Sequence, residues 1–242
     1  MRAVLCGANG AMGKLIDGQL PQEVAGRVSL DGENGVARTF AQLGPVEADV
    51  VMDFSHHSAI SDVLAYAKGI GAAAVIGTTG HTEAEKAEIL AASQEIPVFY
   101  SGNMSLGIAV LCRLAQQAAA AFPDADIEIV EVHHNRKVDA PSGTARMLFE
   151  AIRKVRPQAV VHCGRAGEGK RTREEIGISS LRLGSVVGIH EVLIHTGSQC
   201  LTLKHESGSR AMLAEGAVDA ARFMVGKGPG LYDMDSMLGE RS

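Results

Sequence analysis

The sequence predicts an α/β protein with a doubly wound parallel sheet in its N-terminal part and a second α+β domain built on a mixed sheet. Short apolar segments alternate with helical segments along the first part of the chain, and a glycine-rich turn follows the first of them. Later strand-like segments succeed one another through glycine turns. Alternation of strands and helices favours parallel pairing, whereas consecutive strands favour antiparallel pairing.

The length and composition limit the classes of protein that this chain can be. Its 242 residues allow one large domain or two small ones, and 46% of them are hydrophobic, with no tryptophan. The formal net charge of -5 argues against a nucleic-acid partner, and no apolar run is long enough to cross a membrane. Four scattered cysteines without a Cys-x-x-Cys spacing favour reduced thiols and a cytoplasmic protein.

The first strand, at 2–6, leads into a glycine-rich turn at 7–13 and a helix that begins at about Ala11. A strand, a Gly-x-x-Gly-x-x-Gly turn and a helix form the Rossmann-like arrangement that binds dinucleotides, here with shifted glycine spacing. The turn does not match a Walker-type phosphate loop, which needs glycine at position 8 and serine or threonine at position 15. We expect the following residues of the turn to bind the cofactor: Gly7, Ala8, Asn9, Gly10, Ala11 and Met12.

Further elements of this domain follow in order along the chain. Strands are expected at 27–30, 49–54, 73–76 and 97–100, and helices at 58–69 and 82–94. Asp31 follows the second strand about 20 residues after the glycine turn, where a carboxylate commonly binds the ribose of a dinucleotide. Ligands gather at the carboxyl ends of parallel strands, so the segments after the fourth and fifth strands join the expected cofactor site. These segments are Gly77, Thr78 and Thr79, and Ser101, Gly102, Asn103 and Met104.

The second half of the chain has a different pattern. A long apolar helix comes first, several strands joined by glycine turns follow, and a final amphipathic helix ends the region. The expected elements are a helix at 106–122, a strand at 127–132, a helix at 145–154, an exposed loop at 164–177, strands at 178–183, 186–195 and 200–206, and a helix at 209–225. Neighbouring strands of this kind predict a mixed or antiparallel sheet.

The segment from Glu131 to Ala145 combines two adjacent histidines, a lysine and a Ser-Gly-Thr turn before a helix. The N-terminus of a helix attracts anions through its free N–H groups, and a nearby lysine adds a full positive charge. Histidine titrates near neutral pH. Together these groups predict the protonation of an anionic small molecule.

Each of these residues also has a plainer interpretation. Adjacent residues of a strand point to opposite faces, so we do not expect His133 and His134 to share a metal, and we predict no metal site. A lone histidine is more often structural, but Lys137 and the Ser-Gly-Thr turn favour catalysis here. Asp139 could be catalytic, but it is expected to order the loop. Arg182 and Arg165 could serve the substrate or a tetramer, and we interpret them as surface charges. The spacing of four other histidines has no interpretation: His162, His190, His195 and His205.

The run His-His-x-x-Lys-x-Asp-Ala-Pro-Ser-Gly-Thr-Ala over 133–145 resembles the signature of the 4-hydroxy-tetrahydrodipicolinate reductases, long called dihydrodipicolinate reductases. The resemblance extends from the glycine turn to the segment 230–234. It implies the NAD(P)H-dependent reduction of 4-hydroxy-tetrahydrodipicolinate to tetrahydrodipicolinate in bacterial lysine and diaminopimelate synthesis. Many relatives have Ala-Pro-Asn-Phe or Ala-Ala-Asn-Phe where this chain has residues 101–104, so only Asn103 is shared there.

The resemblance also implies roles for individual residues. His133 is implied as the proton donor, His134 as a substrate contact, and Lys137 as a second catalytic or substrate-polarising group. Gly143 and Thr144 are implied as binders of a substrate carboxylate. From the residues themselves, Lys137 and the helix start formed by Ser142, Gly143 and Thr144 can supply the anion sites that a dicarboxylate needs.

The expected organisation and partners follow from the same resemblance. It implies a discontinuous dinucleotide-binding domain at 1–104 and 209–242, a substrate-binding and oligomerisation domain at 105–208, and a homotetramer. The cofactors are NADH and NADPH. NADH is expected to be preferred by about 1–2 kcal/mol, because a 2′-phosphate would meet the charge of Asp31. Gly32 stands where relatives that use both cofactors often have arginine, and Arg38 is expected to lie beyond reach.

Three alternatives to this function remain open at the level of the sequence. The first is another two-domain NAD(P)-dependent enzyme, such as an amino-acid dehydrogenase. The second is a non-catalytic module that senses nucleotides, which would lack an acid and an anion site. The third is a zinc hydrolase that uses the histidines, which would contain about one zinc ion per chain.

Overall fold

A computed structural model describes residues 1–241 of the chain. These residues form two compact units, one made of residues 1–106 and 211–241 and the other of residues 107–210. The strands are β1 Ala3–Cys6, β2 Val24–Val28, β3 Val50–Asp53, β4 Ala73–Ile76, β5 Pro97–Tyr100, β6 Asp126–His133, β7 Val160–Cys163, β8 Glu175–Arg182, β9 Gly188–His195, β10 Cys200–Ser207 and β11 Gly230–Tyr232. The α-helices are α1 Ala11–Gln19, α2 Phe40–Leu43, α3 Ile60–Ile70, α4 Glu83–Ala92, α5 Leu106–Ala121, α6 Gly143–Arg153, α7 Ala211–Met224 and α8 Met234–Arg241.

The first unit contains a six-stranded parallel sheet in the order β11-β5-β4-β3-β1-β2. All four residues of β3 are fully buried, because helices cover both faces of the sheet. Helix α3 packs on β3 and β4, and α7 packs on α1 and on the strands β3, β4 and β5. The doubly wound parallel sheet that the sequence predicts is therefore confirmed.

The second strand and the end of this unit differ from the prediction. The strand was expected at 27–30, but β2 spans Val24–Val28. Leu30, whose apolar side chain suggested a strand, is 80% exposed, and the N–H of Ser29 donates to the carbonyl of Ala37 outside the sheet. Strand β11 and helix α8 were not predicted, because β11 has only three residues and its two outer residues are glycine and a partly exposed tyrosine.

The second unit contains a five-stranded mixed sheet in the order β10-β9-β6-β8-β7. Strand β6 pairs in parallel with β8 and antiparallel with β9, which confirms the predicted mixed sheet. Its buried residues alternate, as in a strand with one covered face. Apolar residues of α5 and α6 pack on that face and form the core of the unit with Ile127, Ile129 and Ile178.

The predicted exposed loop at 164–177 is wrong at its end. Residues 164–170 are exposed, but β8 begins at Glu175 and its first four residues are buried. Glu175 is buried although it is charged, and it forms ion pairs with Arg165 and Arg171. Strand β7 was missed because all four of its residues are exposed and show no alternation of buried and exposed positions. Over residues 1–241, no helix combines the length and apolar character needed to cross a bilayer.

Candidate active site

The glycine turn of the first unit has a shape that only glycine allows. Gly7 has a φ of 80°, and a Cβ there would lie 2.3 Å from the carbonyl oxygen of Phe54. A Cβ on Gly13 would lie 2.2 Å from the carbonyl oxygen of Gly7. The backbone of the turn is thus packed against the end of β3 and against the first turn of α1, with no room for side chains.

Helix α1 begins at this turn without a side-chain cap. Its N-cap residue is Gly10, and its first turn contains no acidic residue. The free N–H groups at the start of a helix attract anions, and nothing in the first turn of α1 competes for them. The turn is therefore suited to the pyrophosphate of a dinucleotide, and its residues fit the cofactor predicted from the sequence.

A cavity of about 610 Å³ opens beside the turn. Of the predicted cofactor residues, four line this cavity: Gly7, Asn9, Gly10 and Asp31. Ala8, Ala11 and Met12 belong to the same turn and helix start but do not line it, and Ala8 is buried. Residues without a predicted cofactor role also line it, among them Arg38, Phe40, Ser55 and His56.

Asp31 is held as an anion at the edge of this cavity. Its Oδ1 accepts a hydrogen bond of 2.5 Å from the side-chain amide of Asn9 and one of 3.3 Å from the N–H of Glu33. The bond from Asn9 is the main cause that lowers the pKa of the Asp31 carboxyl. The carboxylate is therefore ionised over the physiological pH range and can accept hydrogen bonds from a ribose.

The expectation that Arg38 lies beyond reach is wrong. The side chain of Arg38 packs on Gly32, where a Cβ would lie 2.6 Å from both its Cγ and its Nε. Arg38 lines the same cavity as Asp31, and its guanidinium has no partner among residues 1–241. The chain turns back through three residues with positive φ, Gly32, Asn34 and Gly35, which brings Arg38 close to the loop. Distance along the sequence concealed this proximity.

The two other predicted cofactor segments lie at the ends of β4 and β5. The ring of Phe54 packs on Gly77, where a Cβ would lie 2.2 Å from its Cε1, and the hydroxyl of Thr78 accepts a hydrogen bond of 2.9 Å from the N–H of Ser55. A Cβ on Gly102 would lie 3.5 Å from Cγ2 of Thr79. The segments 77–79 and 101–104 are thus neighbours at one edge of the sheet.

The residues around Asn103 are ordered by local bonds. The hydroxyl of Ser101 donates to the carbonyl of Asn103, and the side-chain oxygen of Asn103 accepts from the N–H of Ser105. Met104 is 3% exposed. A Cβ on Gly216 of α7 would lie only 1.7 Å from the carbonyl oxygen of Met104. Its side chain is therefore part of the core, and its backbone is held by the close approach of α7.

In the second unit, His133 is the last residue of β6 and is 9% exposed. Its Nδ1 lies 2.5 Å from Oε2 of Glu131, which is fully buried two residues earlier on the same face of the strand. Oε1 and Oε2 of Glu131 accept hydrogen bonds from the two terminal nitrogens of Arg182, at 2.9 and 3.0 Å. The interpretation of Arg182 as a surface charge is therefore wrong. Arg165 also forms an ion pair, with Glu175.

Glu131 is a buried anion with several donors around it. Burial by itself would raise the pKa of its carboxyl, but hydrogen bonds from Arg182, Ser180 and His133 outweigh that effect and lower the pKa to about 2. The backbone N–H of Ser142 also donates to Oε1, at 3.2 Å. The carboxylate thus joins β6, β8 and the start of α6.

His190 on β9 is the second buried imidazole of this site. Its ring centre lies 5.1 Å from that of His133, and its Nε2 lies 3.2 Å from the hydroxyl of Ser142. Burial is the main cause that lowers the pKa of His190 to about 4, so the imidazole is neutral at physiological pH. A Cβ on the neighbouring Gly188 would lie 3.2 Å from Nε2 of His133, so glycine keeps the space beside that nitrogen open.

Lys137 and His134 lie on the loop that follows β6. The ammonium of Lys137 lies 2.8 Å from Oδ1 of Asp139, consistent with the expected ordering role of Asp139 in the loop. The hydrogen bond from Lys137 is the main cause that lowers the pKa of Asp139. His134 is partly buried, and burial, with a smaller effect of Arg136, lowers the pKa of its imidazole.

The predicted anion site is the start of α6. Ser142 is the N-cap residue, and its hydroxyl accepts a hydrogen bond of 3.2 Å from the N–H of Ala145. Gly143 is exposed and Thr144 is partly buried, in the first turn of an amphipathic helix without acidic residues in that turn. Across residues 1–241, no three His, Cys, Asp or Glu side chains are grouped in a way that could hold a metal ion.

Sequence reasoning did not assign a function to Glu131, Arg182, His190 or Gly188. Glu131 opened the motif but had no role, and the other three lie on β8 and β9, far along the chain from β6. Strand register brings them together, since Arg182 lies opposite His133 and His190 lies opposite Glu131. The available signal is spacing: His190 lies two and four residues before the apolar Val192 and Ile194, which are buried on the same face.

Comparison with known protein families identifies similarity over nearly the whole chain. A family model for the N-terminus of dihydrodipicolinate reductase matches residues 1–104, and a model for the C-terminus of the same enzyme matches residues 107–238. The two matches cover the glycine turn and the histidine-containing loop, respectively.

Individual relatives agree with these models. The 4-hydroxy-tetrahydrodipicolinate reductase of Alkaliphilus oremlandii is 42% identical over 242 residues, covering 98% of each chain. That of Akkermansia muciniphila is 43% identical over 235 residues, covering 93% of this chain and 95% of the relative. A solved structure, the dipicolinate-bound dihydrodipicolinate reductase from Paenisporosarcina sp. TG-14, has a TM-score of 0.77 at 22% identity and covers 96% of this chain and 97% of its own. This last likeness is one of fold.

Proposed function

The chain belongs to the dihydrodipicolinate reductase family, and from this premise we propose how its residues carry out the reaction. It is an oxidoreductase that reduces 4-hydroxy-tetrahydrodipicolinate to tetrahydrodipicolinate with a nicotinamide cofactor, in lysine and diaminopimelate biosynthesis. One observation best supports the roles of the residues: the buried His133–Glu131 pair is joined to the start of α6 by the N–H of Ser142, and Lys137 lies on the loop between them. The dehydrogenase, sensor and zinc hydrolase alternatives are not favoured.

The first unit is proposed to bind the cofactor. The uncapped start of α1 and the glycines at 7, 10 and 13 would hold the pyrophosphate, and Asp31 would accept hydrogen bonds from the adenosine ribose. Segments 77–79 and 101–104 would border the ribose and the nicotinamide. When bound, the cofactor supplies the hydride for the reduction.

The second unit is proposed to bind the substrate and supply the proton. Lys137 and the N–H groups of Gly143 and Thr144 attract carboxylates, and Ser142 fixes the helix start that presents them. His134 would contact the substrate. His133 would donate a proton from Nε2 to the substrate carbon that the reduction leaves electron-rich, because Nδ1 is engaged by Glu131.

The charges of Asp31 and Arg38 in the cavity determine the proposed cofactor preference. The negative charge of Asp31 favours NADH, since a 2′-phosphate would be repelled by it. The unpaired guanidinium of Arg38 in the same cavity offsets part of that repulsion. The preference should therefore be at the low end of the range expected from the sequence, about 1 kcal/mol or fivefold in affinity, the scale of one exposed charge contact.

The uncovered face of the mixed sheet and the cysteines support a proposal for the assembly and the compartment of the protein. We infer a homotetramer built through the mixed sheet, because the uncovered face of β6, β8 and β9 presents Val132, Leu181 and Ile189 side by side. All four cysteines are free thiols, which suits a reducing cytoplasm.

Turnover of 4-hydroxy-tetrahydrodipicolinate with NADH tests the proposed roles of His133 and Lys137. His133→Gln and Lys137→Ala should each lower kcat by about 10²-fold or more, the scale of a general acid, while NADH binding survives. Lys170→Ala, on the exposed loop, is the matched control and should keep the parental rate.

Pyridine-2,6-dicarboxylate should compete with substrate, and Thr144→Val should weaken that inhibition. Parental turnover in either active-site variant, or competition with NADH instead, would contradict the corresponding assignment.

A further inference from the structure

The imidazole of His133 is fixed through one of its nitrogens. Nδ1 lies 2.5 Å from the carboxylate of Glu131, which has no exposed surface. The other nitrogen, Nε2, faces the space that Gly188 keeps open on β9. The arrangement therefore separates a nitrogen that is held from a nitrogen that can exchange a proton.

Glu131 is itself held in place by groups from other elements. Arg182 on β8 donates two hydrogen bonds to it, and the N–H of Ser142 donates a third. The guanidinium of Arg182 also donates to the carbonyls of Leu181 and Asp139, each at 2.7 Å. Because the arginine is anchored at these additional points, the carboxylate cannot rotate away from Nδ1 without breaking several bonds.

The other charged and titratable groups around His133 do not replace this carboxylate. His190, packed edge-on against the ring, is neutral because burial lowers its pKa to about 4. Lys137 is paired with Asp139. His134, on the neighbouring loop position, is not an anion. Glu131 is thus the acidic group in direct contact with the imidazole, and Arg182 is the cation that balances it.

We propose that Glu131 and Arg182 are positioning residues for the reduction: Glu131 holds Nδ1 of His133 so that Nε2 presents the proton to the substrate, and Arg182 keeps Glu131 in place as an anion. This rests on the proposed role of His133 as the proton donor. When the proton leaves Nε2 for the substrate carbon, the proton on Nδ1 stays shared with Glu131, and the ring becomes neutral in a single tautomer.

The kinetic test compares kcat and KM of Glu131→Gln, Arg182→Gln and Arg182→Lys with those of the parent. Glu131→Gln should lower kcat by roughly tenfold to a hundredfold, with little change in KM, because the imidazole of His133 loses the group that holds its Nδ1. Arg182→Gln should show the same changes in smaller measure, and Arg182→Lys should restore part of the loss. Glu150→Gln, which removes an exposed carboxylate of α6, is the control and should match the parent.

A second measurement needs no turnover. In ¹⁵N NMR spectra of the whole protein with labelled histidine, His133→Gln identifies the signal of His133. In the parent, Nδ1 should hold a strongly downfield-shifted proton, which Glu131→Gln should abolish and Arg182→Lys should keep. Thermal unfolding and NADH binding show whether Glu131→Gln folds. If it does not, the parental spectrum and the two Arg182 variants still test whether Glu131 and Arg182 position His133.

The outcomes separate this inference from the proposed function. If His133→Gln is inactive but Glu131→Gln keeps the parental kcat, the positioning role is wrong and the acid role of His133 stands. If His133→Gln keeps the parental kcat, the acid role of His133 and the positioning role of Glu131 and Arg182 are both wrong. A parental Nδ1 without a bound proton also overturns the positioning role.

Discussion

Asp53, at the end of β3, is a fully buried carboxyl group whose Oδ2 has no partner among residues 1–241. Burial is the main cause that raises its pKa, and hydrogen bonds from Ser55 and Thr78 oppose this only in part. A raised pKa means that its contribution to stability is complete below about pH 4 and is lost as pH rises through the folded value. Relative to the parent, Asp53→Asn should therefore gain free energy of unfolding between pH 4 and pH 8. Urea denaturation at several pH values measures this difference, and a pH-independent difference would show that the carboxyl is ionised in the fold.

The position of Arg38 in the cavity affects the choice of cofactor. Its guanidinium lines the cavity with Asp31, so it can meet a 2′-phosphate but has no counterpart in NADH. Arg38→Gln should weaken NADPH binding by about fivefold, or ~1 kcal/mol, and leave NADH within twofold. Fluorescence titration of both cofactors at low and high salt measures this, with Arg153→Gln in the other unit as control. Equal losses for the two cofactors would mean that Arg38 acts on the loop and not on the phosphate.

Two glycines within helices have opposite surroundings, so alanine should have opposite effects on stability at the two positions. A Cβ on Gly216 of α7 would lie 1.7 Å from the carbonyl of Met104, whereas one on Gly18 of α1 would meet nothing within 4 Å. Gly216→Ala should lower the free energy of unfolding by about 1–3 kcal/mol and weaken NADH binding, because α7 must move away from segment 101–104. Gly18→Ala should raise stability by up to about 1 kcal/mol through helix propensity. Thermal and urea unfolding of both variants test the pair, and a stable Gly216→Ala protein would show that α7 can shift freely.

The elements that the sequence predicted well are those whose burial repeats locally. Strand β4 is apolar throughout, β3 is apolar up to its last residue, Asp53, and β6 alternates, so both types were identified from residues next to one another. Strand β7 has no such pattern, since every residue is exposed. The histidine, the lysine and the Ser-Gly-Thr turn could be grouped because they share one loop. The partnership of Glu131 with Arg182 depends on the register of β6 with β8, which no local pattern specifies.

The mixed sheet leaves an apolar strip on the face away from its helices. Leu181 and Ile189 flank Val132 in register on the two neighbouring strands, and Leu181 is 46% exposed. Contiguous apolar surface of this kind favours association, and a charge buried in an interface is costly without a partner.

Leu181→Asp should convert the proposed homotetramer into smaller species, while Leu90→Asp, an exposed leucine of α4 in the other unit, should not. Light scattering coupled to size-exclusion chromatography gives the mass of each species, and NADH binding reports whether the first unit stays folded. A tetramer that survives Leu181→Asp would place the interface elsewhere, and a parental protein that runs as a monomer would refute the assembly itself.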